Sequence, residues 1–309
     1  MAAAKLVLLA GLGALTVVFV AAWVLAVRRG RRDTGLRPTP RELAVGFVTN
    51  FFDTLGIGSF APTTSVFKLW RMVPDERIPG TLNVGHALPT VAEALIFITI
   101  VDVGMATLAG LIAASVAGAW LGAGVVAGLP RRKVQLGMGC ALLAAAALFV
   151  LTNLRLLPGG GEALSLGGWR LAAGLAGNFL LGALMTLGIG LYAPCMILVS
   201  LLGMNPIAAF PIMMGSCAFL MPAGGLRFIE KGSYSLRPAL GLAVGGVPGV
   251  LIAAFVVKSL PLAALRWVVT AAVLYAAAAM LRSARGATVA EVPLPLPSPR
   301  GGEGGDKSP

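Results

Sequence analysis

The chain has 309 residues, of which 58% are hydrophobic and only 12% charged, with a mean hydropathy of +0.90. Soluble domains carry about 25% charged residues, so these figures exclude a soluble globular protein and identify an integral membrane protein whose first partner is the lipid bilayer. The net charge of +12 lies in short basic clusters between apolar runs, which act as topology signals and exclude a nucleic-acid partner.

In chain order, residues 6–27 form an apolar run that leads into Arg28, Arg29, Arg31 and Arg32. A signal peptide has an apolar core of about 7–15 residues, so this longer run reads as a retained span with its N-terminus outside. Residues 33–42, with Pro38 and Pro40, form a polar cytoplasmic connector that completes an N-terminal segment of residues 1–42. A first membrane unit over 43–154 holds an interrupted apolar segment at about 43–70 and spans at 78–101, 104–128 and 134–154. Residues 155–174, containing Pro158-Gly159-Gly160-Gly161, read as a linker. A second unit over 175–285 holds an interrupted segment at 175–203 and spans at 206–226, 238–257 and 262–281. Each span is long enough for about 30 Å of hydrocarbon, which takes about 20 helical residues. The tail, 286–309, with Pro293, Pro295, Pro297 and Pro299, reads as disordered.

The two interrupted segments share one phrase. Thr54-Leu55-Gly56-Ile57-Gly58-Ser59-Phe60-Ala61-Pro62 returns as Thr186-Leu187-Gly188-Ile189-Gly190-Leu191-Tyr192-Ala193-Pro194, changed only at Ser59/Leu191 and Phe60/Tyr192. Gly-x-Gly followed by proline breaks a helix, and broken helices in matching halves of a membrane protein point to a transport site. The match continues through Pro79 with Pro211 and Leu129-Pro130 with Leu260-Pro261. An odd number of crossings per unit inverts the second unit, provided that each broken segment turns back on itself. Charge supports that proviso. Re-entry leaves only Lys5, Arg155, Arg170, Lys258 and Arg266 outside, whereas full crossings put Lys68, Arg71, Arg77 and the Arg131-Arg132-Lys133 cluster there. Basic residues in short loops prefer the cytoplasm. The expected fold is an all-α polytopic membrane protein of two inverted repeats, each a re-entrant broken helix plus three transmembrane helices, preceded by one extra N-terminal transmembrane helix. It is expected in the inner or plasma membrane, with its C-terminus cytoplasmic.

Each broken segment supplies backbone donors at depth. Pro62 and Pro194 suit the first turn of a second half-helix, whose free N–H groups and partial positive charge favour an anion. Thr63, Thr64 and Cys195 add side-chain donors, and Gly56, Gly58, Gly188 and Gly190 form the turns. The matched middles of the following spans carry Asn83 and His86 in the first unit and Ser216 and Cys217 in the second. These residues are read as substrate-binding candidates. A hydrogen-bonded packing histidine remains the alternative for His86, the only histidine. Asp53 and Glu93 are candidates for a coupling proton or cation, because intramembrane carboxylates are functional candidates by default. Cys140, Cys195 and Cys217 give neither a disulfide framework nor metal-ligand spacing, and no cofactor or metal is expected.

On these motifs the chain resembles the TauE/SafE sulfite exporter family of anion permeases. The two Gly-rich phrases ending in Pro62 and Pro194 carry the resemblance. So do Gly224-Gly225, Lys231-Gly232, Gly245-Gly246-Val247-Pro248-Gly249 and Leu260-Pro261 in the second half. The resemblance spans about 43–282 and implies a secondary transporter of sulfite, an organosulfonate, or another sulfur-containing or carboxylate anion. No P-loop is present, so direct ATP use is not expected. Two alternatives stay open: a passive channel, and an intramembrane enzyme built on Ser59 and His86. No catalytic motif surrounds that pair, so the chain is read as a transporter rather than an enzyme.

Overall fold

A computed structural model gives the fold. It describes residues 2–29, 36–156, 161–188 and 190–256, together with residues 274, 275, 277, 278, 281, 282, 284 and 285. The expected span at 262–281 lies largely outside this set, as do Leu260-Pro261, the tail expected to be disordered, residues 157–160 of the linker, Ile189 of the second phrase, and residues 33–35 of the connector. The expectation of a cytoplasmic C-terminus therefore falls on residues outside the description.

Among the described residues the protein is helical and has no strand, only an isolated bridge between Ala163 and Met204. The helices are α1 (Ala2–Arg29), α2 (Pro40–Thr54), α3 (Phe60–Leu69), α4 (Ile78–Gly85), α5 (Ala87–Ile100) and α6 (Met105–Val126). They continue as α7 (Arg131–Asn153), α8 (Gly168–Met185), α9 (Tyr192–Leu201), α10 (Ala209–Glu230) and α11 (Leu236–Val256). Five described segments are long and apolar enough to cross a membrane: Ala3–Arg29, Asp75–Ile100, Met105–Val126, Ala209–Glu230 and Leu236–Phe255. The chain is a multi-pass membrane protein. Helix α7 occupies the span expected at 134–154.

Local chemistry explains the boundaries. Helix α2 starts in a reciprocal capping box: Thr39 N–H donates to Glu42 Oε2 at 2.6 Å, and Glu42 N–H donates to Thr39 Oγ1 at 3.3 Å. Pro40 takes the first helical position, where no N–H partner is needed. The span expected to run unbroken over 78–101 divides at His86 into α4 and α5. Pro89 has no N–H for the Gly85 carbonyl and its ring crowds that carbonyl, so the helix bends there. Buried hydroxyls in the apolar helices return to the preceding turn, as Thr49 does to Val45 O at 2.7 Å and Ser65 to Ala61 O at 2.8 Å.

Contacts between helices give their relative directions. Glu42 meets Gly241 and Asn50 meets Gly246, so α2 and α11 run the same way. Gly80 meets Ser233, Gly85 meets Ala239 and Pro89 meets Gly246, so α4–α5 runs with them. Helix α3 runs back, since Thr63 contacts His86 while Lys68 contacts Asp75. In the other half, Gly110 meets Leu175 and Gly122 meets Thr186, so α6 and α8 run together. Helix α10 runs with α6, because Gly215 meets Ile112 and Gly224 meets Ala119 and Ala123. This second set opposes the first: Asn83 lies beside Gly225, Thr90 beside Met221, and Ile98 beside Gly215.

The closest helix approaches use glycine pairs one turn apart. A Cβ at Gly245 or Gly249 would overlap the carbonyl of Leu43 or Phe47 on α2. One at Gly118 or Gly122 would overlap the carbonyl of Phe179 or Ala183 on α8. Small residues let backbones approach closely in a bilayer, where helix association depends on packing. Each seam joins the broken arm of one unit to a full span of the other.

These directions sort the basic residues of α1 to α11 and their described loops. Lys5, Arg155 and Arg170 lie at one end of the helical bundle, while Arg28, Arg29, Arg71, Arg77, the Arg131–Lys133 cluster, Lys231 and Arg237 lie at the other. At the basic end, Asp75 is 5% exposed and accepts from Lys68 at 2.7 Å and from Gln135 at 2.8 Å, with Arg131 at 3.6 Å. This cluster ties the end of α3 to the starts of α4 and α7.

Candidate functional site

The two duplicated phrases form the breaks between α2 and α3 and between α8 and α9. In the first, Gly56 N–H donates to Asp53 O at 2.8 Å, and Gly56 and Gly58 take φ values of +83° and +89°. In the second, Gly188 N–H donates to Met185 O at 2.9 Å, and Gly188 takes φ +96°. Such backbone suits glycine and opposes a side chain. Both phrases therefore stop one helix and aim the next. Helices α3 and α9 begin at Phe60 and Tyr192, two residues before the prolines expected to start them. Thr63 N–H donates to Ser59 O and Cys195 N–H to Leu191 O. The donors left without an intrahelical partner therefore precede Pro62 and Pro194, a correction to the expectation that they follow.

The breaks face each other reciprocally. A Cβ at Gly58 would have Tyr192 Cβ as its neighbour at 4.0 Å, and one at Gly190 would have Phe60 Cβ at 4.0 Å. Between them lies a cavity of about 220 Å³, lined by Ile57, Gly58, Ala61, Gly190, Tyr192, Ala193 and Pro194 from the breaks and by Ala144, Leu148, Leu181 and Leu184 from α7 and α8. Its walls are mainly apolar, and the first turns of α3 and α9 both reach it.

A buried polar layer adjoins these walls. Glu93, fully buried on α5, receives a hydrogen bond from the Tyr192 hydroxyl at Oε2, and its Oε1 lies 2.8 Å from Thr54 Oγ1. Thr54 also donates to Asn50 O at 2.9 Å. Asn50 Nδ2 donates to Gly46 O at 2.7 Å, which turns Asn50 Oδ1 toward His86 Nδ1 at 2.9 Å. This network assigns the His86 proton to Nδ1 and leaves Nε2 to accept from Thr63 Oγ1 at 3.1 Å. Both ring nitrogens are thereby occupied, so no Ser59–His86 pair forms. Asp53 is 1% exposed, and the polar groups that face its carboxyl are the hydroxyl and N–H of Ser59. Neither Asp53 nor Glu93 has an ion-pair partner among the described residues.

The structure therefore distributes the expected site residues. Gly58, Gly190 and Pro194 line the cavity. Gly56 lies against Phe210, Gly188 against Met138, and Pro62 within the first turn of α3. Thr63, His86 and Glu93 belong to the polar layer. Thr64 is buried with its hydroxyl unpartnered, and Cys195 is buried on α9. Cys217 Sγ lies 3.6 Å from Met185 Sδ and within electrostatic reach of Asp53, Glu93 and Cys195. Ser216 accepts from Asn178 Nδ2 at 2.9 Å in the α8–α10 contact, and Asn83 Nδ2 donates to Pro79 O at 2.9 Å. These two residues are not brought to the cavity. Asn50, Thr54, Tyr192 and Asn178 were absent from the sequence-derived site. Thr54 and Tyr192 stand in the duplicated phrases, and Asn50 precedes Thr54 by one turn on the same helix face, so their positions carried a readable signal.

Among the described residues no group of three or more His, Cys, Asp or Glu side chains is placed to hold a metal ion. Comparison of the chain with protein-family models, curated proteins and solved structures returns no match. The arrangement offers a small solute an apolar chamber with two helix N-termini at its wall, and offers a proton the carboxyl, imidazole and phenol groups beside it.

Proposed function

We propose that this protein is a secondary-active permease of the TauE/SafE type, moving a small sulfur-containing or carboxylate anion through the chamber between the two helix breaks. The observation that carries this reading is the reciprocal approach of the breaks, Gly58 to Tyr192 and Gly190 to Phe60, around a cavity. Broken helices meeting at depth are how secondary transporters present helix dipoles to substrate. The anion is held by the free N–H groups at the starts of α3 and α9, with Thr64 as an additional donor. Asp53 and Glu93 supply the coupling proton.

The proposed architecture is two inverted repeats with re-entrant broken helices. Its support is that α4–α5 runs with α2 although α3 lies between them, which requires α3 to return. In the same way α10 runs with α8 across α9, and the α2 set opposes the α8 set. The basic end of the bundle is then cytoplasmic, and α1 starts outside, where Lys5 Nζ donates to Thr99 O at 3.2 Å near the end of α5.

Two measurements test the proposal. Purified protein in liposomes is expected to accumulate labelled sulfite, an organosulfonate or a small carboxylate when a pH gradient is imposed. Uptake that only equilibrates and does not saturate would instead indicate a channel, and hydrolysis or group transfer an enzyme. For topology, a cysteine at Arg132 in a variant lacking Cys140, Cys195 and Cys217 is expected to resist an impermeant thiol reagent added outside intact cells. A cysteine at Arg170 is expected to react. Ready labelling at Arg132 would overturn the inverted arrangement.

A further inference from the structure

We infer that Glu93 is a neutral carboxylic acid in this conformation and is the group whose proton exchange is gated by Tyr192 from the second unit. The inference rests on counting hydrogens. Thr54 Oγ1 lies 2.9 Å from Asn50 O and 2.8 Å from Glu93 Oε1. A hydroxyl carries one hydrogen and a carbonyl only accepts, so Thr54 can donate to Asn50 O or to Glu93 Oε1 but not fully to both. We assign its hydrogen to Asn50 O because the alternative places an ionised Glu93 in a buried, apolar setting. The contact with Glu93 is then completed by a hydrogen on Oε1, donated to the lone pair of Thr54. On the other oxygen, Oε2, Glu93 accepts from the Tyr192 hydroxyl. A neutral Glu93 satisfies all three contacts with one hydrogen each. An ionised Glu93 leaves the single Thr54 hydrogen divided between two acceptors.

The surroundings agree. Asp53 on α2 is buried beside Ser59 with no cationic partner among the described residues, so a charge on Glu93 would stand beside a second carboxyl in an apolar interior. Uncompensated buried charge is costly, above all within a bilayer. The other titratable groups facing this layer are Tyr192 on α9, Cys217 on α10 and His86 at the α4–α5 bend. Helices α1 and α11 bring no nearby charge, since Lys5 reaches Thr99 and Asp102 and Arg237 pairs with Glu42 at 3.1 Å.

Tyr192 makes the proton site conditional on how the two units sit together. It belongs to α9, whereas Glu93, Thr54 and Asn50 belong to the first unit. While Tyr192 covers Oε2, the proton stays on Glu93. Withdrawal of α9 from α5 uncovers the carboxyl to water in the chamber, and the proton exchanges there. Use of this proton to drive an anion rests on the permease reading, whereas the neutral state of Glu93 does not.

Infrared difference spectroscopy of the full-length protein in lipid vesicles, in water and deuterated water, tests this without any substrate. The wild type is expected to show a protonated-carboxyl carbonyl band at neutral pH. E93Q should remove one component of that band, D53N should leave that component in place, and Y192F should shift it. Glutamine reproduces the contacts, with its amide donating to Thr54 and its carbonyl accepting from Tyr192, so E93Q is expected to melt with the wild type. A wild-type spectrum without the band overturns the inference, as does an E93Q spectrum identical to wild type. If E93Q fails to fold, Y192F decides, and an unshifted band there overturns it. In liposomes, loss of pH-driven accumulation by E93Q tests the permease reading separately.

Discussion

Gly118→Ala and Gly245→Ala are each expected to lower the melting temperature sharply, although each adds a single methyl group. At Gly118 the new Cβ would overlap the carbonyl oxygen of Phe179, and at Gly245 that of Leu43. A flexible side chain gives way to a methyl group; a helix backbone does not. Relief requires α6 to separate from α8, or α11 from α2, which also opens the neighbouring contacts at Gly122 and Gly249. Overpacking of this kind costs about 3 kcal/mol, a large share of a total stability of about 5–15 kcal/mol. Gly13→Ala is the control, because a Cβ there meets nothing within 4 Å and alanine is favoured over glycine in a helix by roughly 0.5–1 kcal/mol. Detergent-extracted yield and melting temperature read the comparison. Equal melting of all three variants would mean that the seams are not close backbone contacts. A severe loss at one seam and none at the other would count against the equivalence of the two units.

The breaks were legible because their cause is local: glycine at positive φ and a proline in the next turn appear in the sequence twice. Helix directions were partly legible through the basic clusters, since charge is sorted by the membrane rather than by packing. The pairing of α2 with α11 and α6 with α8 was not. The spacing of Gly241, Gly245 and Gly249 marks a close approach but says nothing of the partner, which comes from the other unit. For the same reason Asn83 and Ser216, from the matched middles of the two spans, do not meet. The α4–α5 segment and α10 pack in opposite directions, so Asn83 is level with Gly225 and Ser216 turns to Asn178 on α8. Thr63 was read as a donor to substrate, yet its hydroxyl is directed to His86 by the orientation of Asn50, three helices acting on one proton. The sequence also marked Phe60/Tyr192 as an aromatic exchange. The added hydroxyl gains significance only once α9 lies against Glu93.

Ala193→Leu is expected to abolish transport while leaving the fold intact. Ala193 lines the chamber in the first turn of α9, and the chamber volume of about 220 Å³ admits a larger side chain without displacing backbone. Burying the added apolar groups contributes about 0.8 kcal/mol per methylene, so the variant should melt at or above the wild-type temperature. Its transport per folded molecule should fall to background, because the leucine occupies the space assigned to the anion. Gly58→Ala gives the contrasting pattern. Its Cβ has room, with Tyr192 Cβ at 4.0 Å, but its φ of +89° imposes about 1–2 kcal/mol of backbone strain on any L side chain. That variant should lose stability first and transport in proportion to folded protein. Melting temperature and uptake measured on the same purified samples separate occupancy of the chamber from distortion of the break. Normal uptake by a stable Ala193→Leu protein would place the substrate path elsewhere and leave the paired breaks as scaffold.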